Sequence, residues 1–205
     1  MQVAIIRTGT ANLASVAAAF RRMNIMPTVV EDPAQVETDM IVVLPGVGAF
    51  GAGMAALETR GWPDLLRARF EQDQPTLAIC LGWQLLCQDS EESLGAAGLG
   101  LLPVSVTRLP ANVIVPHFGW NRVESANPSF ACGYAYFANS YCVADPDAVA
   151  AAGWEVAKTR HGVTFVAAAR HGNWLACQFH PELSGAFGRG LLRQWLDVCY
   201  AKETR

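Results

Sequence analysis

One stretch constrains the fold more than any other: Thr76-Leu77-Ala78-Ile79-Cys80-Leu81-Gly82-Trp83-Gln84-Leu85-Leu86. An apolar strand ends, a cysteine appears, a glycine follows two positions later, and a helix begins. This passage has the mechanics of a nucleophile elbow. Strand and helix backbones approach closely at such a turn, so small residues are needed two positions to either side. Ala78 and Gly82 supply them. The turn would present the sulfur at the carboxyl end of a sheet, where open α/β sheets place their ligands. A helix start also offers unpaired N–H groups and the positive end of its dipole, which favour an anionic sulfur. The alternative is a structural cysteine buried before a helix, and spacing alone leaves both readings open.

The first half of the chain fits such a sheet. Residues 2–6, 28–30, 40–44 and 76–79 are apolar, strand-like runs. Leu13, Val16, Phe20 and Met23 recur at three- and four-residue steps, which makes one helix face apolar, with Asn12 as its N-cap. Helical patterns follow near 54–57 and 64–70, the second with Pro63 near its first turn. Strands alternating with helices imply a parallel sheet covered on both faces. Further on, residues 113–115, 134–143, 154–159, 163–169 and 174–179 read as strands with few helices between them. They suggest an antiparallel extension packed on the parallel sheet. Phe187, Leu191 and Trp195 mark a closing amphipathic helix, and their stripe reads as core.

No repeat or low-complexity linker divides the chain. With 205 residues, against ~150 per domain, the expectation is one α/β domain over 1–205: a mostly parallel central sheet flanked by helices, with an antiparallel strand extension. The 52% hydrophobic and 16% charged content is the reverse of a disordered composition. A net charge of −3 gives no electrostatic reason to expect nucleic acid or an anionic membrane as partner. The longest apolar runs fall far short of the ~18 residues of a membrane span. The start, Met1-Gln2-Val3, has no secretory pattern. Six cysteines at 80, 87, 132, 142, 177 and 199 include no C-x-x-C pair, so neither a disulfide scaffold nor a zinc ribbon is expected. A reduced, cytosolic protein with mostly buried thiols and no metal or cofactor is the expectation.

A catalytic cysteine needs a base and a group to orient it. Of His117, His161, His171 and His180, the last stands out in Gln178-Phe179-His180-Pro181-Glu182. Pro181 biases His180 towards extended backbone. In an extended segment, alternate side chains share a face, so Glu182 can accept the imidazole N–H and stabilise the imidazolium. His180 also ends an apolar strand, as Cys80 does, so both can meet at one sheet rim. Acyl transfer further needs an oxyanion hole. The Leu81 N–H is one natural donor, and the loop Leu44-Pro45-Gly46-Val47-Gly48 can turn another inward. Gly46-x-Gly48 is no dinucleotide fingerprint, because Gly51 comes one position early.

These segments, in this order, resemble the class I (triad-type) glutamine amidotransferases, and among them the glutaminase subunits of imidazole glycerol phosphate synthase. The resemblance runs nearly end to end, through residues 8–16, 44–50, 79–86, 116–121, 136–141 and 178–185. The nucleophile and His-Pro-Glu segments belong to the whole superfamily. His117-Phe118-Gly119-Trp120-Asn121 and the Asn12-Leu13-Ala14-Ser15-Val16 start single out this subunit type. The resemblance implies that Cys80 attacks the side-chain amide of glutamine, His180 shuttles the proton and Glu182 holds His180. It implies an oxyanion hole from Gly46, Val47 and Leu81, and glutamine held by Gly48, Gln84, Ser140 and Tyr141. Ammonia would pass to a separate (β/α)8-barrel cyclase in histidine biosynthesis, docked over Asn12, His117, Trp120 and Asn121. Residue type alone favours a core aromatic at Trp120.

The chain departs from the family pattern at four positions. Arg7 stands where an Asp is usual, Asn139 where a His is common, Leu183 where Lys or Arg follows the Glu, and Ala78 where Gly is usual. None is a triad position. Competing readings are a glutaminase of another synthase (a surface-sugar or chorismate type), a non-catalytic interaction subunit on the same fold, and a cysteine peptidase or DJ-1-like protein. The intact Cys80, His180 and Glu182 disfavour the second. The glycine loop combined with His-Pro-Glu disfavours the last.

Overall fold

A computed structural model describes residues 2–9, 12–127 and 130–203, with side chains through 200. Thr10 and Ala11 of the first family segment lie outside the described residues. In chain order the strands are β1 (Val3–Ile6), β2 (Pro27–Val30), β3 (Ile41–Gly46), β4 (Thr76–Cys80), β5 (Cys87–Ser90), β6 (Leu102–Arg108), β7 (His117–Val123), β8 (Gly133–Asn139), β9 (Tyr141–Cys142), β10 (Glu155–His161), β11 (Val163–His171) and β12 (Trp174–Cys177). The helices are α1 (Leu13–Arg21), α2 (Phe50–Thr59), α3 (Trp62–Glu71), α4 (Leu81–Gln84), α5 (Pro146–Ala151) and α6 (Gly185–Glu203), with short 3-10 turns at Pro33–Gln35 and Pro181–Leu183.

The continuous apolar runs form the middle of a seven-stranded sheet ordered β10-β11-β12-β4-β3-β1-β2. Neighbours from β12 to β2 are parallel. Because helices cover both faces, both sets of alternating side chains must be apolar. Val3, Ile5, Ile41, Val43, Leu77 and Ile79 pack with α1 and α6 on one face. Ala4, Ile6, Val42, Leu44 and Ala78 pack with α2 and α3 on the other. Phe20 of α1 and Trp195 of α6 are almost fully buried in the first layer, so the closing stripe is core. Asn12 caps α1 as expected, accepting the Ser15 N–H at 3.2 Å. Arg69 of α3 is a buried cation that sequence reasoning passed over. It donates to the Met40 and Pro75 carbonyls at 2.7 and 2.9 Å and ties the starts of β3 and β4 together. Burial lowers its pKa to about 10. Among the described residues no helix is long and apolar enough to cross a membrane.

The second half departs from its sequence reading in four places. Residues 174–179, expected in the antiparallel extension, open with β12, which is antiparallel to β11 but parallel to β4; within the seven-stranded sheet the antiparallel pairings are those of β11 with β12 and β10. Residues 113–115 are not a strand. Pro110 and Pro116 bracket them and cannot donate to a ladder, and Ile114 is exposed. The run 134–143 breaks at Ser140, where the chain leaves β7 for β6: β8 pairs with β7, and β9 pairs with β6. Finally, β5, β6, β7 and α5 were not anticipated. β5 is short and polar, while Pro103 obscures the alternation of Leu102, Val104 and Val106 in β6.

Candidate active site

β4 lies between β3 and β12, and all three run the same way. Their carboxyl ends therefore open on one rim, and that adjacency assembles the site from segments far apart in sequence. Gly46 is the register partner of Cys80, and Cys177 that of Ile79. Cys80 sits at the junction of β4 and α4 with φ 54° and ψ −108°. A non-glycine residue there costs about 1–3 kcal/mol and persists only where its surroundings over-determine it. Here both flanking strands hold β4 in register. The close approach is real: a Cβ on Gly82 would overlap the Leu44 carbonyl oxygen, and one on Gly46 would press on Leu81 Cβ at 2.9 Å. Gly82→Ala will therefore force β3 and α4 apart. The expected result is a loss of about 1–3 kcal/mol of stability together with loss of activity, read by thermal melting and a glutaminase assay. A variant as stable and active as the parent would contradict this packing.

His180 follows β12 by a short link. Its backbone N–H donates to the Tyr136 carbonyl at 3.0 Å. Ser184 Oγ bonds the His180 carbonyl at 2.7 Å and accepts the Tyr136 N–H at 2.9 Å. Glu182 does not reach the ring along an extended segment, as the sequence suggested. Residues Pro181–Leu183 turn as a 3-10 helix, closed by the Leu183 N–H on the His180 carbonyl. The turn brings Glu182 Oε1 to 2.8 Å from His180 Nδ1, with both side chains buried. Burial alone would lower the imidazole pKa. Hydrogen bonds and negative charge from Cys80 and Glu182 outweigh it and hold the ring up to about 10. The imidazolium is thus bracketed by sulfur and carboxylate.

Cys80, His180, Leu81, Val47, Gly48, Gln84, Ser140 and Tyr141 share the lining of one cleft of about 510 Å³. Cys80 is not sealed in the interior. Gly46 lies just behind this wall, against the elbow. Gly48 has φ 101°, a backbone conformation that needs glycine. Glu92, which sequence reasoning missed, lines the same cleft and accepts the Phe50 N–H at the start of α2 at 2.7 Å. The adjacent acidic pair Glu91-Glu92 downstream of the elbow was the available signal. Gln178 was also missed. It is fully buried, and its Nε2 lies 3.8 Å from Cys80 Sγ.

The other described thiols do not line this cleft. Burial raises those of Cys87, Cys142 and Cys177 and keeps them protonated. Cys132 is exposed and lies outside the cleft.

The residues expected at a partner surface divide. Trp120 is 57% exposed and packs edge-on against Tyr136, so the core reading of this aromatic is wrong. Phe118, Tyr134 and Ile114 are exposed as well. Asn12 is exposed but occupied in capping α1. His117 lies beneath the surface, stacked on His161 at 4.1 Å and on Phe137 at 5.1 Å. Burial, then the charge of His161, lowers its pKa to about 4. Asn121 donates to the Arg160 carbonyl at 2.9 Å and so holds β7 to the sheet edge.

A parallel α/β sheet with cysteine, imidazole and carboxylate gathered at the ends of adjacent strands defines the triad-type amidotransferase class. Comparison with known proteins agrees. The family model for glutamine amidotransferase class-I matches residues 5–197. The imidazole glycerol phosphate synthase subunit HisH of Methanothermobacter thermautotrophicus is 40% identical over 97% of this chain and 100% of its own length. The subunit of the same name from Escherichia coli strain K12 is 39% identical over 97% of this chain and 100% of its own. A crystal structure of a glutamine amidotransferase superimposes with a TM-score of 0.74 at 21% identity, covering 97% of this chain and 98% of that one, a likeness of fold. The chain belongs to the class-I glutamine amidotransferase family and, within it, to the HisH subunits of imidazole glycerol phosphate synthase.

Proposed function

We propose that this chain is the glutaminase subunit of imidazole glycerol phosphate synthase, with Cys80, His180 and Glu182 as its catalytic triad. One observation carries the reading: the imidazole of His180 bonds the Glu182 carboxylate at 2.8 Å on one side and meets the Cys80 sulfur on the other, and sulfur and ring line a cleft of amino-acid size.

The chemistry follows from the placement. Cys80 Sγ attacks the side-chain carbonyl carbon of glutamine, and the oxygen takes up negative charge. The Leu81 N–H, the first of α4, has no helical carbonyl within reach and meets that charge. Val47, on the loop after β3, supplies the second donor. His180 gives its proton to the departing nitrogen, the C–N bond breaks, and ammonia leaves a thioester on Cys80. His180 then takes a proton from water, which attacks the thioester and releases glutamate. Glu182 stabilises the imidazolium at each transfer. Both N–H bonds of Gln84 are committed to protein acceptors, so only its oxygen remains for the substrate. With the Glu92 carboxylate, that oxygen suits the α-ammonium of glutamine. Ser140 and Tyr141 line the same end of the cleft.

Ammonia passes to a separate (β/α)8 cyclase. There it meets a phosphoribulosyl formimino intermediate and yields imidazole glycerol phosphate and an aminoimidazole carboxamide ribotide. The exposed side chains of the β7–β8 hairpin, with Trp120 as anchor, suit that partner. Because the Gly46–Gly48 loop can adopt more than one backbone orientation, the second oxyanion donor is completed by partner and ligand. Glutamine hydrolysis by the lone chain should therefore be slow. It should rise about 10²- to 10³-fold, the worth of one oxyanion donor, when the cyclase and its nucleotide ligand are added. High turnover of the lone chain, unchanged by the cyclase, would count against this reading.

A further inference from the structure

We infer that Gln178 is a positioning residue for the reaction proposed above, one that fixes the Cys80 sulfur and couples it to the amide facing the substrate. The inference rests on the glutaminase reading and names a part of that same site.

Gln178 is completely buried, and its backbone N–H is anchored on the Ala167 carbonyl at 2.8 Å. Its side chain stands in a line of amides. Gln84 Nε2 donates to the Tyr141 carbonyl at 2.9 Å and to Gln178 Oε1 at 3.0 Å. Gln178 Nε2 then points at Cys80 Sγ at 3.8 Å. Asn139 Nδ2 donates to the same Tyr141 carbonyl at 3.0 Å and pins it.

The polarity of this line is forced. A carbonyl only accepts, so the Gln84 atom facing Tyr141 must be nitrogen. The second hydrogen of that nitrogen goes to Gln178, whose facing atom must be oxygen. The remaining Gln178 nitrogen faces the sulfur and can only donate. An N–H aimed at sulfur stabilises the anion more than the thiol. The sulfur therefore meets donors from two sides, the Gln178 amide and the His180 ring. Bonds in such a chain polarise one another. A substrate ammonium drawing on the Gln84 oxygen makes the Gln84 N–H groups stronger donors, and the pull reaches sulfur through Gln178. Filling the amino-acid end of the cleft thus readies the nucleophile.

The test uses Gln178→Leu and Gln178→Glu in the reconstituted complex with the cyclase. Leucine removes both bonds, while glutamate keeps the shape but cannot donate. In both variants kcat with glutamine should fall about 10- to 100-fold, the worth of a hydrogen bond to a charged group. KM should move less than about threefold, since substrate contacts are kept. Alkylation of Cys80 by iodoacetamide, measured per folded molecule near neutral pH, should slow in parallel. A purely structural role would lower the melting temperature without changing that rate. If Gln178→Leu fails to fold, the isosteric Gln178→Glu decides. Either folded variant alkylating at the parent rate with parent kcat overturns the role of Gln178. In that case a dead Cys80→Ala leaves the glutaminase reading standing, whereas a Cys80→Ala that still uses glutamine removes both.

Discussion

Cys80→Ala will abolish glutamine-dependent synthesis in the reconstituted complex, by at least about 10⁴-fold, and leave ammonia-dependent synthesis intact. The division follows from where the sulfur sits. It lines the cleft at the end of β4, whereas Cys87, Cys142, Cys177 and Cys199 are buried elsewhere and Cys132 lies on the surface outside that cleft, so none can substitute. Removing one sulfur atom from an elbow that already suits a small residue leaves the sheet and the β7–β8 surface in place. Free ammonia enters after the step proposed for Cys80. Equal loss of both activities would show that the substitution damages assembly rather than chemistry, and would contradict the proposed division of labour.

Glu182→Gln will cut kcat about 10⁴-fold, the loss seen when an orienting carboxylate is neutralised in a triad. The amide oxygen can still accept from His180 Nδ1, but the charge is gone. Glu182 Oε2 accepts no hydrogen bond among the described residues, so the substitution breaks no second bond of the carboxylate. The same substitution has a pH signature. An imidazole held at about 10, against an unfolded value of about 6.5, binds its proton more tightly in the folded chain. That stabilisation is complete below about pH 6.5 and fades as the pH rises towards 10. The glutamine variant should lose much of this dependence, with the His180 ring titrating at lower pH. Denaturant melts between those limits and a ring titration by NMR measure both. An unchanged titration would mean that the carboxylate contributes nothing to the charge on the ring.

What could be read from residues alone tracks where local chemistry is decisive. Continuous apolar runs announced β1, β3 and β4 because both faces of the sheet are covered. The elbow announced itself through Ala78, Cys80 and Gly82, since few residues tolerate that approach of backbones. Other elements depend on tertiary context. Nothing local tells residues 134–143 to change partner at Ser140, and nothing in Cys87-Gln88-Asp89-Ser90 alternates. Trp120 looks like core until the hairpin turns it outward. Glu92 has only its acidic neighbour Glu91 to mark it, and Gln178 opens the His-Pro-Glu segment without a chemistry of its own, so their relevance appears only when α2 and β12 are set beside β4. The 3-10 turn at Pro181 reached the same His–Glu contact by a different backbone route.

The hairpin of β7 and β8 is hydrogen-bonded as its own two-stranded ribbon, joined to the seven-stranded sheet through the Glu124–Lys158 bridge. The reactive groups come instead from β3, β4 and the segment after β12. The inner side of the ribbon nevertheless reaches the cleft through Phe118 and Asn139 and holds His180 through the Tyr136 carbonyl, so the surface proposed for a partner and the proposed triad are backed by the same hairpin. On the proposed reading, a change on the outer face at Trp120 or Tyr134 would bear on docking alone, whereas one at Tyr136 or Asn139 would disturb the imidazole or the cleft as well.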